Sequence, residues 1–322
     1  MNILITSAGR RSLLIEYFMK EFKDSGKVIT TDCSDLAPAT YLSNKNYIVP
    51  RIDDPNYVNA LLDICKKENI SAIFSLIDPE LSLLAKHKDD FKNIGVTVIV
   101  SPYKDCELWL DKYETLKFCR KNDFLFPKTY NSFSEFQNAL ENKEIEFPVF
   151  IKPQKGSASL NINKVNNLEE AKVIFNSAKN MIIQEFLNGQ ELGIDVYIDL
   201  VSKKIISIFI KEKISMRAGE TDKAKSIKSE KLFSIVENLV SKTNLIGPID
   251  IDVFQIGDEF YISEINPRFG GGYPLAFECG VNFPKFILNN LRGIENKPQI
   301  GIYEENIIMM KHDRIEIKKT NV

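Results

Sequence analysis

The stretch Gly247-Pro248-Ile249-Asp250-Ile251-Asp252, followed beyond the turn Gly257-Asp258 by Ile262-Ser263-Glu264-Ile265-Asn266-Pro267-Arg268, decides how this chain is read. Successive side chains of a strand alternate faces, so Asp250 and Asp252 share one face, and Glu264 and Asn266 share one face of the next strand. Paired as a hairpin, the two strands bring these groups onto one small volume. Acidic residues are depleted in strands, and these lie among strongly apolar neighbours, so a merely solvated hairpin face is the poorer explanation. Hard oxygen donors grouped in this way suit Mg²⁺, which usually keeps phosphates and waters in its shell. Arg268 adds a planar fork for phosphate or carboxylate.

Upstream, Phe147-Pro148-Val149-Phe150-Ile151-Lys152-Pro153 reads as a strand ending in a lysine, and Gln154-Lys155-Gly156-Ser157-Ala158-Ser159 follows it. A glycine with small hydroxyl residues can fold backbone N–H groups over a phosphate, although a Lys-Gly-Ser turn is also an ordinary surface feature. It is not a Gly-x-x-x-x-Gly-Lys-Ser/Thr loop. Ile183-Gln184-Glu185-Phe186-Leu187-Asn188-Gly189-Gln190-Glu191 sets polar backbone beside an apolar step, suited to a planar base, or forms a plain turn. Periodicity predicts helices around 112–121, 134–140, 168–177 and 228–243, and strands over 181–185, 192–200, 204–211, 249–255 and 259–265. That pattern is α+β with antiparallel pairing. Arg217–Asp222 reads as a flexible loop, and the tail from Ile300 as a small edge strand and a frayed end.

The first hundred residues differ. Strands are expected over 2–6, 27–31, 72–77 and 96–100, with helices between them whose apolar stripes include Leu13, Leu14, Tyr17, Phe18 and Phe22. Such alternation implies βαβ units and a parallel sheet, which binds ligands at the carboxyl ends of its strands. Ser7–Arg11, Asp32 and Ile77–Glu80 fall there. Arg10 and Arg11 are either anion ligands at a helix N-terminus or surface charges. Asp78 and Glu80 are either functional or an ordinary helix start. Ser7–Ser12 lacks a Gly-x-Gly-x-x-Gly fingerprint, against a dinucleotide dehydrogenase.

Composition narrows the classes. The chain has 322 residues, 42 Lys+Arg against 44 Asp+Glu, and 44% hydrophobic residues. It can bury a substantial core and has no basic footprint for nucleic acid. No apolar run reaches the roughly 20 residues a bilayer demands, and the start Met1–Ile5 reads as a strand, so a cytoplasmic protein is expected. Five scattered cysteines form no Cys-x-x-Cys pair, and two isolated histidines, His87 and His312, cannot build a triad or a His-based metal site. Acid–base chemistry must come from carboxylates, Lys and Arg.

The order of these elements resembles the ATP-grasp superfamily, and among its members the ATP-binding unit of the carbamoyl-phosphate synthase large subunit and single-unit carboxylate–amine ligases. The stretches DKYETLKFCRKNDFLFPKT, FPVFIKPQKGSAS, IIQEFLNGQELGIDVYID, GPIDIDVF and ISEINPRFGGGYP carry the resemblance, which covers nearly the whole chain. It implies a parallel-sheet βαβ domain over 1–105, an α+β ATP-grasp fold over 106–300 with a lid at about 115–187, and a short terminal strand and tail over 301–322.

By the same resemblance, Lys112 and Lys152 hold nucleotide phosphates, with Gly156, Ser157 and Ser159 in the lid over them. Glu185 and Leu187 offer backbone groups to adenine, Gln184 lies nearby, and Glu191 holds the ribose. Asp252, Glu264 and Asn266 bind Mg²⁺ (or Mn²⁺), with Asp250 a helper. Arg268 stabilises the transferring phosphoryl group. Lys213 and Arg217, with Lys211, stand where basic residues surround phosphates, or belong to a solvated loop. Arg10, Asp78, Gly271 and Gly272 are candidate substrate ligands. The implied reaction consumes ATP, phosphorylates a small carboxylate and joins it to an amine acceptor. The other readings are an ATP- and Mg²⁺-binding partner subunit without turnover, and a carbamoyl-phosphate-synthase-like subunit, whose full reaction needs two such units. A homodimer is an expected assembly.

Overall fold

The structure is a computed structural model that describes residues 1–156 and 161–318. Five parallel strands, β1 (Asn2–Thr6), β2 (Val28–Asp32), β3 (Lys45–Ile48), β4 (Ile70–Ser75) and β5 (Thr97–Val98), form the first sheet in the order β3-β2-β1-β4-β5. Its central strands are covered on both faces, which is why Ile3, Leu4 and Ile5 run apolar without alternation. Leu4, Ile29 and Ile73 face one core, with Leu61 and Leu84 from the covering helices. Ile3, Ile5 and Phe74 face another, together with Phe18 of the helix Ser12–Phe22. β3 has no fully buried residue, so no apolar run marks it in the sequence.

A four-stranded antiparallel sheet follows, ordered β6-β9-β7-β8, from β6 (Thr129–Tyr130), β7 (Val149–Pro153), β8 (Asn163–Val165) and β9 (Met181–Glu185). Its own small core contains Phe136, Val149, Ile151, Val165 and Ile183. A six-stranded sheet, ordered β14-β13-β10-β11-β12-β15, completes the fold: β10 (Gln190–Ile198), β11 (Ile205–Arg217), β12 (Glu220–Ile227), β13 (Gly247–Ile256), β14 (Glu259–Asn266) and β15 (Ile308–Met310). The helix Glu230–Ser241 opens on Ser229, whose side chain accepts a hydrogen bond from the Leu232 N–H.

The segment expected to be a flexible loop, Arg217–Asp222, is instead the tight turn between β11 and β12. Ala218 and Gly219 both take positive φ, 49° and 77°, the backbone twist that suits a two-residue hairpin. β11 accordingly runs six residues past the strand read from the sequence, which ended at Lys211. Among the described residues, no helix is long and apolar enough to cross a membrane.

The first and third sheets share one core. Phe18, Phe74 and Phe269 pack as a trio with ring centroids 5.2–5.8 Å apart. Phe269 directly follows Arg268, so this packing sets where the cleft meets the parallel sheet.

Candidate active site

Four adjacent strands of the six-stranded sheet carry polar side chains at alternate positions on one face: Glu264 and Asn266 on β14, Asp250 and Asp252 on β13, Glu191 and Asp195 on β10 with Gly193 between them, Lys211 and Lys213 on β11. Register places Asp252 opposite Glu264 and Asp250 opposite Asn266, with Asp195 opposite Asp250 on the other side. The alternation of a strand thus becomes a charged floor. Gly193 faces Lys211 across the ladder, and a Cβ there would lie 2.9 Å from Lys211 Cε and 3.1 Å from Lys213 Cε. The missing side chain is the space through which both lysines pass.

The charges on this floor are paired in a definite order. Lys213 Nζ donates to Asp252 Oδ1 (2.6 Å) and Glu191 Oε1 (2.7 Å). Lys211, fully buried, pairs with Asp195 within the floor. Arg268 is clamped from two sheets: its Nε and Nη2 donate to Asp78 Oδ2 (3.1 and 3.0 Å), and its Nη1 donates to Asp250 Oδ2 (3.2 Å). Burial alone would lower the Arg268 pKa, but Asp78 and Asp250 reverse this and hold it raised. Burial pushes the Asp252 carboxyl up to about 7; Lys213 opposes the rise, and the neighbouring Asp250, Glu191 and Glu264 add to it.

Above the floor lies a cleft of about 360 Å³. Lys152, at the end of β7, enters it from the four-stranded sheet, and burial with help from the nearby Lys112 pushes its ammonium down to about 8. Apolar walls include Phe150, Ile162, Leu187 and Phe254. Gln184 and Glu185 line the same end, but the Gln184 amide donates to Thr129 Oγ1 (2.9 Å), and Glu185 Oε2 accepts from the Lys128 N–H (3.0 Å).

The cleft gathers most residues singled out in the sequence: Lys152, Gln184, Glu185, Leu187, Glu191, Lys213, Asp252, Glu264, Asn266, Arg268, Asp78, Arg10, Gly271 and Gly272 all line it. Three do not. Lys112 donates to the Gly156 carbonyl (2.8 Å) and approaches Glu264 Oε1 (3.7 Å), so it and Gly156 sit beside the cleft. Arg217, expected among the phosphate-binding cations, lies at the end of the hairpin and pairs with Asp222 and Asp313. The two-residue turn carries it away from the floor. Ser157 and Ser159 fall outside the described residues.

Three features were not read from the sequence: the buried pair Asp195–Lys211, the clamp of Asp250 and Asp78 on Arg268, and the place of Glu220 at the rim as the partner of Arg11. The polar residues at alternate positions in β10 and β11 were the available signal for the first. The clamp depends on a residue from another sheet and had no local signal.

The donor set bears on which metal could bind here. Among the described residues, no group of three or more His, Cys, Asp or Glu side chains forms a metal cage. Asp252 and Asp250 are engaged by cations, which leaves Glu264 and Asn266 the least encumbered oxygens. That set suits a cation which takes one or two protein oxygens and completes its shell from a ligand's phosphates.

Fold and cleft together define a class: proteins in which two antiparallel β-layers face each other across a charged cleft, preceded by a doubly wound parallel sheet. Residues 109–272 match the family model described as the ATP-grasp domain, and the chain belongs to that family. Residues 3–99 match the model of the PylC-like N-terminal domain. Among characterised proteins, the chain is 27% identical over 188 residues to a carbamoyl-phosphate synthase of Methanobrevibacter smithii, covering 56% of this chain and 48% of that protein. It is 23% identical over 261 residues to a formate-dependent phosphoribosylglycinamide formyltransferase of Saccharolobus solfataricus, covering 75% and 64%. The chain thus spans between about half and just under two-thirds of these curated relatives' lengths. The fold is similar to that of N5-carboxyaminoimidazole synthetase from Staphylococcus aureus (TM-score 0.72, 16% identity, 93% of this chain and 78% of that one). It is also similar to that of an L-amino acid ligase from Bacillus licheniformis (TM-score 0.67, 17% identity, 90% and 74%).

Proposed function

We propose that this protein is an ADP-forming ligase that phosphorylates a small carboxylate with ATP and couples the activated acyl group to an amine. The observation that carries this reading is the double clamp on Arg268, which fixes a guanidinium beside Glu264 and Asn266 at the end of the cleft nearest the parallel sheet. Membership of the ATP-grasp family supports the nucleotide, and the apolar walls at Phe150, Leu187 and Phe254 suit its base.

A carboxylate resists nucleophiles because its charge repels them; an acyl-phosphate carries a good leaving group. Making one needs positioning and charge neutralisation more than covalent help from the protein. Lys152 meets the phosphates as a cation whose lost hydration a phosphate restores. Arg268, held still by Asp78 and Asp250, offers its charge to the transferring group without reorganisation at the moment of reaction. Lys213 orders Asp252 and Glu191. Glu264 and Asn266, with Asp252 behind them, would hold Mg²⁺, which neutralises phosphate charge when bound. The amine then attacks the acyl carbon, and phosphate leaves.

The direct test is ADP release with Mg²⁺-ATP across a panel of carboxylates, with hydroxylamine as acceptor. Hydroxamate formed from one acid is the expected outcome; no ADP and no nucleotide binding would overturn the reading. Glu264→Gln keeps the shape but removes the charge. It should cut turnover at least about a hundredfold with an unchanged melting curve, and retained turnover would remove Glu264 from the metal site.

A further inference from the structure

A second cavity, about 770 Å³ and so larger than the cleft, opens from the cleft's Arg268 end. The two share Arg10, Arg11, Ala218, Glu220, Thr221 and Gly271, which form a neck between them. At this neck Glu220 is contacted by both Arg11 (3.7 Å) and Lys311 (3.2 Å), and among the described residues Arg10 makes no ion pair. Two cations therefore flank one carboxylate, and Arg10 lines the same neck. The helix Ser12–Phe22 begins here with Arg11 at its N-cap position. It has no side-chain cap and no acidic residue in its first turn, so its positive end adds to the same field. A Cβ on Gly271 would lie 3.0 Å from Arg11 Nη1, so the glycine leaves room for the guanidinium. Burial holds Arg11 and Lys311 below their ordinary values, as expected of cations whose lost hydration one shared glutamate does not restore.

Beyond the neck the cavity turns apolar. Leu13 of the helix Ser12–Phe22 and Ile308 and Met310 of β15 are large apolar side chains left 45%, 55% and 67% exposed in the same space. Pro274 lies in the same wall. Exposed apolar side chains that converge in one concavity mark a binding surface more than chance does. The acids in its walls are already engaged: Glu278 accepts from the Tyr17 hydroxyl, and Asp222 and Asp313 pair with Arg217.

We infer that this cavity takes the carboxylic acid to be activated, and that the acid has an extended apolar body whose carboxylate lies at the Arg10–Arg11 neck beside Arg268. The assignment rests on the ligase reading above. It excludes formate, bicarbonate and acetate as the preferred acid, since none has a body to fill the space. It also gives the segment 307–316, which forms one wall, the task of selecting the acid.

The test uses octanoate, octylamine and formate on the nucleotide-free protein, with binding read by saturation-transfer NMR. Octanoate should bind at least about thirtyfold more tightly than formate, since each methylene buried gains about three- to fourfold, and octylamine should not bind. Arg11→Gln and, separately, Met310→Glu should each weaken octanoate at least about tenfold, with Mg²⁺-ATP binding unchanged in Met310→Glu. Equal binding of octanoate and octylamine, or full octanoate affinity in both variants, overturns the inference. Failure to bind octanoate in a protein that binds Mg²⁺-ATP overturns the inference alone. Octanoate binding in a protein that binds no nucleotide overturns the ligase reading and the substrate assignment with it.

Discussion

Arg268 meets two carboxylates from different sheets, and Asp78 is the costlier of the two to keep. Asp78 is buried, and its Oδ1 has no hydrogen-bond partner among the described residues while Oδ2 accepts twice from Arg268. A buried carboxylate left half satisfied persists where its partner's position matters. Asp78→Asn should therefore lower kcat by about ten- to a hundredfold while the KM for ATP stays nearly constant, as expected when an interaction realised only in the transition state is weakened. Steady-state kinetics separates that from a binding role, which would move KM instead. Lys152 makes a second prediction at this scale. Its folded value, about 8, lies below the ordinary lysine value of 10.5. At pH 8.5 most free protein thus holds it neutral, whereas bound phosphates favour the charged form. ATP binding at that pH should take up a proton, seen as a dependence of calorimetric heat on the buffer's ionisation enthalpy, and Lys152→Met should abolish that uptake.

The loop after β14 is the element on which the site turns. A Cβ on Gly270 would lie 2.3 Å from Asp250 Oδ1, and Asp250 is a short side chain already held by Arg268. Gly270→Ala should displace that carboxylate, reduce turnover at least about tenfold and lower the melting temperature; wild-type kinetics would show that the loop can shift. This element also shows how far the sequence could be read. The hairpin, the Lys152 strand and the parallel first sheet were legible because alternation and apolar runs are local signals. Arg217 misled because whether a turn is tight depends on two backbone angles at Ala218 and Gly219, and Ala gives no sign of positive φ. Asp78 was read only as a possible ligand, since its partner lies 190 residues away, beyond any periodic signal. The second cavity was invisible for the same reason: its walls come from the first helix, the hairpin turn and the tail.

At the scale of the whole molecule, the shared core makes the parallel sheet part of the site's support. Phe269 joins them, 2% exposed and packed against Phe18 and Phe74. Truncating a buried phenylalanine costs about 3–5 kcal/mol, a large part of a typical domain's stability. Phe269→Ala should lower the urea midpoint correspondingly, with far-ultraviolet dichroism and the fluorescence of Trp109 falling together. Trp109 is the chain's one tryptophan and belongs to that same core. Two separated transitions would show that the parallel sheet unfolds on its own.

Gly193 has a consequence of a different kind. Two lysines occupy the volume its side chain would need, so the fates of three positions are tied. An alanine arriving at 193 is harmful while both lysines are long, and shortening either lysine first strands Asp195 or Asp252 as a buried, uncompensated charge. Each single step is uphill, so a lineage can leave this arrangement only by changing several positions at once. The charged floor is for that reason a historical trap as well as a chemical device, one that would hold its pattern while the cavity walls beside it drift towards new acids.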